Sequence, residues 1–463
     1  MKNALFSALF ITLLLYNTAS AQQQNNTDLV ATLAHKFLQK TKIPGLSIAV
    51  SKNDTIIYAQ GFGYANAEDH VKMTPHTRLR TASVSKLITT TALGRLLSQE
   101  KLDLDAPIEK YIPYIDAQYA HITARQLAGH TSGMNHRPRG NRHKKKQFTT
   151  VKPMVELMDK PLLFEPDTGY KYSTHGFVVL GAVIEGASGI PFETYMKEAI
   201  FNPLDMRQTA PENIKKLTPD DSEIYYLKKG KAHKQKWTNT SYNLPGAGFR
   251  STPTDLLKMM RGYTNGFIAE EVVTEMFKSH TLKNGEQTNV GITWRRSYDP
   301  FGHPTIEHAG NWLGARTVIV HYPQENMNIA IMLNAGRQIF IEEMAHIFAE
   351  LFREGQKKKP ASHHLNTAIA LTLRSNGKVK QYTGTIRMQG ETGILTVGSD
   401  GFLKFNEIHS LKQGNHHVVL TDYGLSYLNL IKEDVLRGEL YLYGTMNTTS
   451  PTLQPPMVTF KQH

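Results

Sequence analysis

Apolar positions along the chain change period from block to block. In "LVATLAHKFLQK" they recur at three- and four-residue steps, which predicts a helix. "IPGLSIAVSKNDTIIYAQGFGYAN" is rich in β-branched residues and predicts two strands around the turn "SKND". Helical spacing returns in "RTASVSKLITTTALGRLLSQE", residues 80–100, where Ile88, Ala92 and Leu96 stand four apart and predict a buried face. That long helix ends in "KLDLDAPIEKYIP", where Pro107 stops regular structure. "TARQLAGHTSGM" predicts a further helix closing on Gly133, and "GFVVLGAVIEGASGIPFETYMKEAIFNPL" two helices broken at Gly189-Ile190-Pro191. "STPTDLLKMMRGY" carries a Ser/Thr cap and a proline in its first turn. "ARTVIVHYP" and "MNIAIMLNAG" predict neighbouring strands before a closing helix at about 341–354.

Strands at both ends with helices between them imply one sheet assembled from distant parts of the chain. The expected class is α/β (α+β), with an antiparallel sheet, flanking helices and a helical region. Beyond "EGQKKKPASHH", short alternating segments such as "YTGTIRM" and "HHVVLTDYGLSYLNLI" are separated by Gly, Asp and Asn and predict a small all-β domain. The expected organisation is a leader over 1–21, a main domain over 22–355, a linker over 356–366 and the β domain over 367–463.

The leader follows from "MKNALFSALFITLLLYNTASA": a lysine, a short apolar stretch, then Ala19, Ser20 and Ala21 where a signal peptidase would cut. An uncleaved anchor is the alternative, although the stretch is short for a spanning helix. Cysteine is absent, so disulfides and thiol chemistry are excluded. Export without disulfides suits a bacterial periplasm or exterior. Composition is otherwise that of a folded protein, 40% hydrophobic and 20% charged over 463 residues, enough for a large core.

A net charge of +13 favours anionic surfaces and polymers. No nucleic-acid module is recognisable, and an exported chain makes such a partner a poor candidate. Much of the charge lies in "HRPRGNRHKKK", His136–Lys146. It reads either as a solvated loop or as a contact for cell-wall polymer, membrane headgroups or a second subunit.

Ser83 and Lys86 sit three apart at the head of the 80–100 segment. Two other Ser-x-x-Lys patterns, Ser98…Lys101 and Ser375…Lys378, need no catalytic explanation, so the spacing alone leaves both readings open. A serine hydroxyl needs a base, and lysine one helical turn away can serve if burial or a neighbouring cation disfavours its charge. The frames G-x-S-x-G and H-E-x-x-H are missing, so a histidine-activated elbow and a zincin site lack their usual marks. In "YKYSTHGF", an extended backbone would turn Tyr172 and Thr174 the same way. "EHAGNW" places His308, Ala309 and Gly310 on the edge of a predicted strand, with a glycine that admits close backbone approach.

Taken in order, Ser83-x-x-Lys86, Tyr172-x-Thr174 and His308-x-Gly310, with "LDLDAPIEKYIP", "LAGHTSGM", "NPLDM" and "GAGFRSTPTDLLK" around them, resemble the serine β-lactamases and penicillin-binding proteins. Within them the chain is similar to the class C branch and the mitochondrial β-lactamase-like group with its bacterial relatives. The resemblance implies that Ser83 becomes acylated, that Lys86 and Tyr172 share the proton traffic, and that the N–H groups of Ser83 and Asn311 hold the oxyanion. It also implies a catalytic-site position for His308, substrate contacts at Thr174, Gly310 and Asn311, and no metal or organic cofactor. Thr174 stands where β-lactamases commonly have Asn, and His308 where lysine is frequent. A peptide or cell-wall-derived amide or ester is therefore a better expectation than efficient antibiotic hydrolysis. The competing expectation is a binding protein that keeps the fold, contacts wall or membrane and self-associates.

Overall fold

The computed structural model describes residues 27–138, 146–299, 303–336, 339 and 341–353, and the backbone of strands between Leu371 and Gln462. The expected leader (1–21), the linker (356–366) and most of the basic segment (139–145) lie outside the described residues.

Seven antiparallel strands form the central sheet: β1 (Gly45–Lys52), β2 (Thr55–Asn66), β3 (Val71–Lys72), β4 (Arg295–Tyr298), β5 (Pro304–Trp312), β6 (Ala315–Tyr322) and β7 (Met327–Leu333). Their order is β3-β2-β1-β7-β6-β5-β4, so the first strand pairs with the last, Leu46 opposite Leu333. The β1–β2 turn is tighter than "SKND" suggests: Asn53 and Asp54 both take positive φ, the hairpin geometry that matches strand twist.

Four helices matter for the site: α1 (27–41), α2 (Ser85–Ser98), α3 (His175–Ser188) and α4 (Ile341–Glu350). Alternation along the strands divides the core in two. Leu46, Ile48, Val50, Val318, Val320, Ile329 and Ile331 pack with α1 and α4 on one face. Ala49, Ile319, Ala330 and Met332 face α2, α3 and the helical region on the other. Helix α2 is buried nearly all round, so its threonines bond inward: Thr90 and Thr91 donate to carbonyls one turn back, and Thr89 donates to the Pro245 carbonyl at 2.7 Å.

Three expectations shift. Residues 80–100 are not one helix: Leu79–Arg80 pair with Phe249–Ser251, a 3-10 turn covers Ala82–Val84, and α2 begins at Ser85. The interruption is Ala82 at φ +47°, a conformation an L-residue cannot continue into a right-handed helix. "TARQLAGHTSGM" is helical only over Ala124–Ala128, started by a Thr123–Gln126 capping box and stopped where His130 takes φ +63°. His308 and Gly310 lie within β5 itself, which starts at Pro304, a position where proline costs no ladder bond. The break at Gly189 and the helix Pro253–Thr264, capped by Thr252, agree with the reading. The described elements after Leu371 are all strands, in two antiparallel five-stranded sheets.

Candidate active site

Ser83 occupies the 3-10 turn between the Leu79–Arg80 strand and α2, partly exposed among buried neighbours. That turn is pinned from three sides. The Thr81 hydroxyl donates to the Phe249 carbonyl (2.8 Å), the Phe249 N–H donates to the Ser85 hydroxyl (3.1 Å), and the Thr317 hydroxyl donates to the Arg80 carbonyl (3.2 Å). Arg80 itself is fully buried, paired with both carboxylate oxygens of a fully buried Glu212 at 2.5 and 2.6 Å. Glu212 also accepts from the Thr240 hydroxyl. This ion pair ties the segment that carries Ser83 to the Glu212 and Thr240 segments.

Lys86, one turn on, is fully buried. Its Nζ lies 3.4 Å from Ser83 Oγ, 3.2 Å from Thr174 Oγ1 and 2.8 Å from the Gly246 carbonyl. It also sits over the Tyr172 ring, 4.8 Å from the centroid. Burial holds the Lys86 amine below its ordinary value, Arg295 adds to that, and the Tyr172 phenol opposes. Burial raises the Tyr172 phenol, but the cations Lys86 and Arg295 and hydrogen bonding with Lys86 and Ser83 bring it below its ordinary value. Both groups thus lose their protons more easily than when free, each being named among the influences on the other. A neutral amine has two N–H bonds, and the Gly246 carbonyl and Thr174 hydroxyl accept both. As an ammonium Lys86 donates to Ser83 Oγ as well; deprotonated, it would keep the other two bonds and turn a lone pair to the Ser83 hydroxyl.

Thr174 precedes α3, and its N–H donates to His136 Nδ1 (3.2 Å), while the Ser173 N–H donates to His130 Nδ1 (3.1 Å). Both imidazoles flank Tyr172, with ring centroids 4.4 Å (His130) and 5.7 Å (His136) away. Burial and the nearby cations push His136 down to about 4 and His130 well below the usual imidazole value, so both are neutral acceptors at pH 7.

Gly310 brings β5 against the Ser83 backbone. A Cβ built there would stand 2.6 Å from the Thr81 carbonyl oxygen and 2.8 Å from the Ser83 nitrogen, so only glycine permits this approach. A cavity of about 280 Å3 opens over Ser83, with Tyr172, Thr174, Gly310 and Asn311 in its wall. It joins, through Arg137, Tyr242, Asn311 and Trp312, a wider hollow of about 970 Å3 that includes Trp237 and Tyr226.

His308 is the exception among the expected residues. It is buried behind Tyr172, their ring centroids 6.3 Å apart; its Nδ1 bonds the Ala309 carbonyl (2.8 Å), and it is absent from the cavity wall. Burial, Arg295 and Lys86 hold its imidazole well below the usual value, so it is neutral and carries no fixed cation. The geometry gives it a packing position rather than a proton-transfer one.

Arg295 on β4 lines the cavity with its side chain 17% exposed, 4.0 Å from the Glu342 carboxylate, and stands opposite Glu307 in the sheet register. Burial opposes its charge, but Tyr170, Tyr172, Glu342 and Glu307 more than offset that. Sequence reading missed Arg295 because "TWRRSYDP" has no motif spacing, and it missed Asn243, another cavity residue, for the same reason. His136 was noticed only as part of a basic run.

The beta-lactamase family model matches residues 30–350. The serine beta-lactamase-like protein LACTB, mitochondrial, of Homo sapiens is 28% identical over 309 residues, 50% of this chain and 56% of that protein. The chain thus spans little more than half the length of this relative. Penicillin-binding protein 4* of Bacillus subtilis is 27% identical over 380 residues, 75% of this chain and 82% of its own. Among solved structures, the octameric penicillin-binding protein homologue from Pyrococcus abyssi superposes with a TM-score of 0.60 at 21% identity, covering 90% of this chain and 99% of that one, a likeness of fold.

Proposed function

The chain belongs to the beta-lactamase family, and from that premise we propose that it is a serine hydrolase in which Ser83 forms an acyl-enzyme with an amide or ester substrate. One observation carries the reading: Lys86 Nζ is buried, within reach of Ser83 Oγ, and has acceptors for both of its other hydrogens. In the proposed cycle the Ser83 hydroxyl passes its proton to the neutral Lys86 amine as Oγ attacks the substrate carbonyl. Ser83 and Asn311 N–H groups hold the oxyanion, a donor pair whose loss of one member typically costs ~3 kcal/mol. Tyr172, whose ring lies beside the same amine, relays that proton from Lys86 to the leaving group; in deacylation the pair takes a proton from the attacking water and returns it to Ser83 Oγ as the acyl group departs, which restores the hydroxyl and the neutral amine. The wider hollow beyond Trp312 gives room for a peptide or wall-derived fragment longer than a simple ester. The apolar stretch in residues 1–21 supports a site of action outside the cytoplasm.

The test is covalent labelling. A fluorophosphonate probe should add its mass once to the parent protein and not to Ser83→Ala. An unlabelled parent, under conditions that label a related enzyme, refutes the acyl-enzyme reading. Turnover across ester, D-amino-acid peptide and β-lactam panels then ranks substrates, with β-lactams expected to be the slowest.

A further inference from the structure

Tyr172 lies in a stretch, residues 169–173, that has neither helix nor strand to hold it. A proton relay nonetheless depends on close placement of its phenol. His130 supplies a hold on both sides. Its carbonyl accepts the Lys171 N–H at 2.8 Å and its Nδ1 accepts the Ser173 N–H at 3.1 Å, so two bonds to one residue straddle Tyr172. The imidazole also lies against the phenol ring, with centroids 4.4 Å apart and planes tilted by 40°. His130 is 1% exposed and does not line the cavity over Ser83, so any effect on the reaction passes through Tyr172. Several features set it apart from a histidine that only fills space. Its backbone is left-handed, at φ +63°, which bulky residues rarely adopt and which clusters at functional sites. Its Nε2 makes no hydrogen bond among the described residues, a burial cost that an apolar side chain would avoid. The next residue anchors the turn: the Thr131 hydroxyl donates to Asp167 Oδ1 at 2.7 Å, and the Asp167 N–H donates to the Thr131 carbonyl at 2.9 Å. Burial keeps the ring neutral, which leaves Nδ1 an acceptor.

We propose that His130 is a positioning residue: by accepting the Ser173 N–H at Nδ1 and the Lys171 N–H at its carbonyl, it holds Tyr172 where the phenol can hand a proton to the leaving group. The inference rests on the acyl-enzyme reading above. It singles out one step of that cycle, the proton passed from Lys86 through Tyr172 as the bond to the leaving group breaks. An alkoxide departs only with a proton, whereas nitrophenoxide, a far weaker base, departs without one. Displacement of Tyr172 is therefore felt by substrates with the first kind of leaving group and hardly by those with the second.

The experiment compares kcat/KM for 4-nitrophenyl butyrate and ethyl butyrate, which share an acyl group and differ only in the group expelled. His130→Leu should lower the value for the ethyl ester about 100-fold and for the nitrophenyl ester by less than about tenfold. His130→Asn, whose Oδ1 stands where Nδ1 stood and whose backbone accepts positive φ, should stay within about threefold of the parent on both. Tyr172→Phe should show the same selectivity as His130→Leu, and the double variant no more than either, because both changes act on one group. Equal loss on the two esters, or none, leaves His130 only structural and overturns the proposal. An Asn variant as selective as the Leu variant overturns it, and so does a double variant clearly more selective than either single one. If His130→Leu does not melt cooperatively, His130→Gln, with its acceptor one atom further out, carries the same expectation. A parent that hydrolyses the nitrophenyl ester but not the ethyl ester lacks the relay and overturns the proposal as well. A parent that turns over neither refutes the acyl-enzyme reading instead, and the proposal with it.

Discussion

Gly310→Ala isolates the contact between β5 and the nucleophile's backbone. The added Cβ would sit 2.6 Å from the Thr81 oxygen, 2.8 Å from the Ser83 nitrogen and 3.0 Å from the Ala82 Cβ. Relaxed contact needs about 3.5 Å, so strand and turn must part by roughly 0.9 Å. The turn cannot yield easily, because Thr81, Ser85 and Arg80 tie it to Phe249, Thr317 and Glu212. Overpacking of this kind costs about 1–3 kcal/mol, or roughly 2–10 °C in melting temperature for a domain of this size. Activity should suffer more. Oxyanion donors work only within about 2.7–3.1 Å of the oxyanion, and the parting moves Ser83 N–H and Asn311 N–H relative to each other by more than that window. The expected loss is about 100-fold or more in kcat for an ester substrate, with the protein still folded at 25 °C. Gly169→Ala is the control, since its Cβ would meet only the Phe164 ring at 3.5 Å. A Gly310→Ala enzyme with kcat within threefold of the parent would falsify the oxyanion geometry described above.

Lys86→Met should lower kcat/KM by about 10²–10⁴-fold; because burial holds the Lys86 amine below its ordinary 10.5, the parent's pH–rate profile should level off below that value, and a rise continuing to pH 10.5 contradicts it. The same depression means that the folded protein binds this proton more weakly than the unfolded chain, so stability is lost as pH falls from about 10.5 through the folded value. The melting temperature of Lys86→Met minus that of the parent should therefore grow as the pH is lowered, and a constant gap counts against a neutral Lys86. Glu212→Ala leaves the Arg80 guanidinium buried without its partner and should destabilise the fold by about 3–5 kcal/mol in urea titrations, with Glu212→Gln milder. Ala82→Gly removes a left-handed L-residue worth roughly 1–2 kcal/mol of strain, so its melting temperature should hold or rise while kcat falls through looser placement of Ser83; a clear drop in melting temperature refutes that account.

Ser83 and Lys86 were legible because a three-residue step in a helical run is a local statement about one face, and one turn of helix delivers it. Tyr172-x-Thr174 was legible for a similar reason, an extended pair ahead of an obvious helix. What escaped is non-local. Arg295 reaches the cavity because β4 pairs with β5, and nothing in "TWRRSYDP" announces that neighbour. His308 was given a catalytic-site position by the family resemblance, whereas its burial behind Tyr172, away from the cavity wall, comes from strands and rings elsewhere in the chain. The Ala82 break was hidden because alanine is the best helix former and its positive φ is imposed by bonds to Phe249 and Thr317. Strands β1, β2, β6 and β7, rich in β-branched residues, were easy to place, whereas β3, β4 and β5 were not read as strands.

The pairing of β1 with β7 has a consequence for the chain's history. Residue 46 leaves the ribosome some 287 residues before its partner at 333, which at 5–20 residues per second is roughly 15–60 s. Throughout that interval the hairpin's inner edge is an apolar strand with unfilled backbone bonds, open to chaperones, to translocation machinery or to another copy of itself. Assembly of the main sheet must in this sense wait until residues 327–333 have been made, and a chain truncated before residue 327 should be retained by holdases rather than fold into a smaller enzyme.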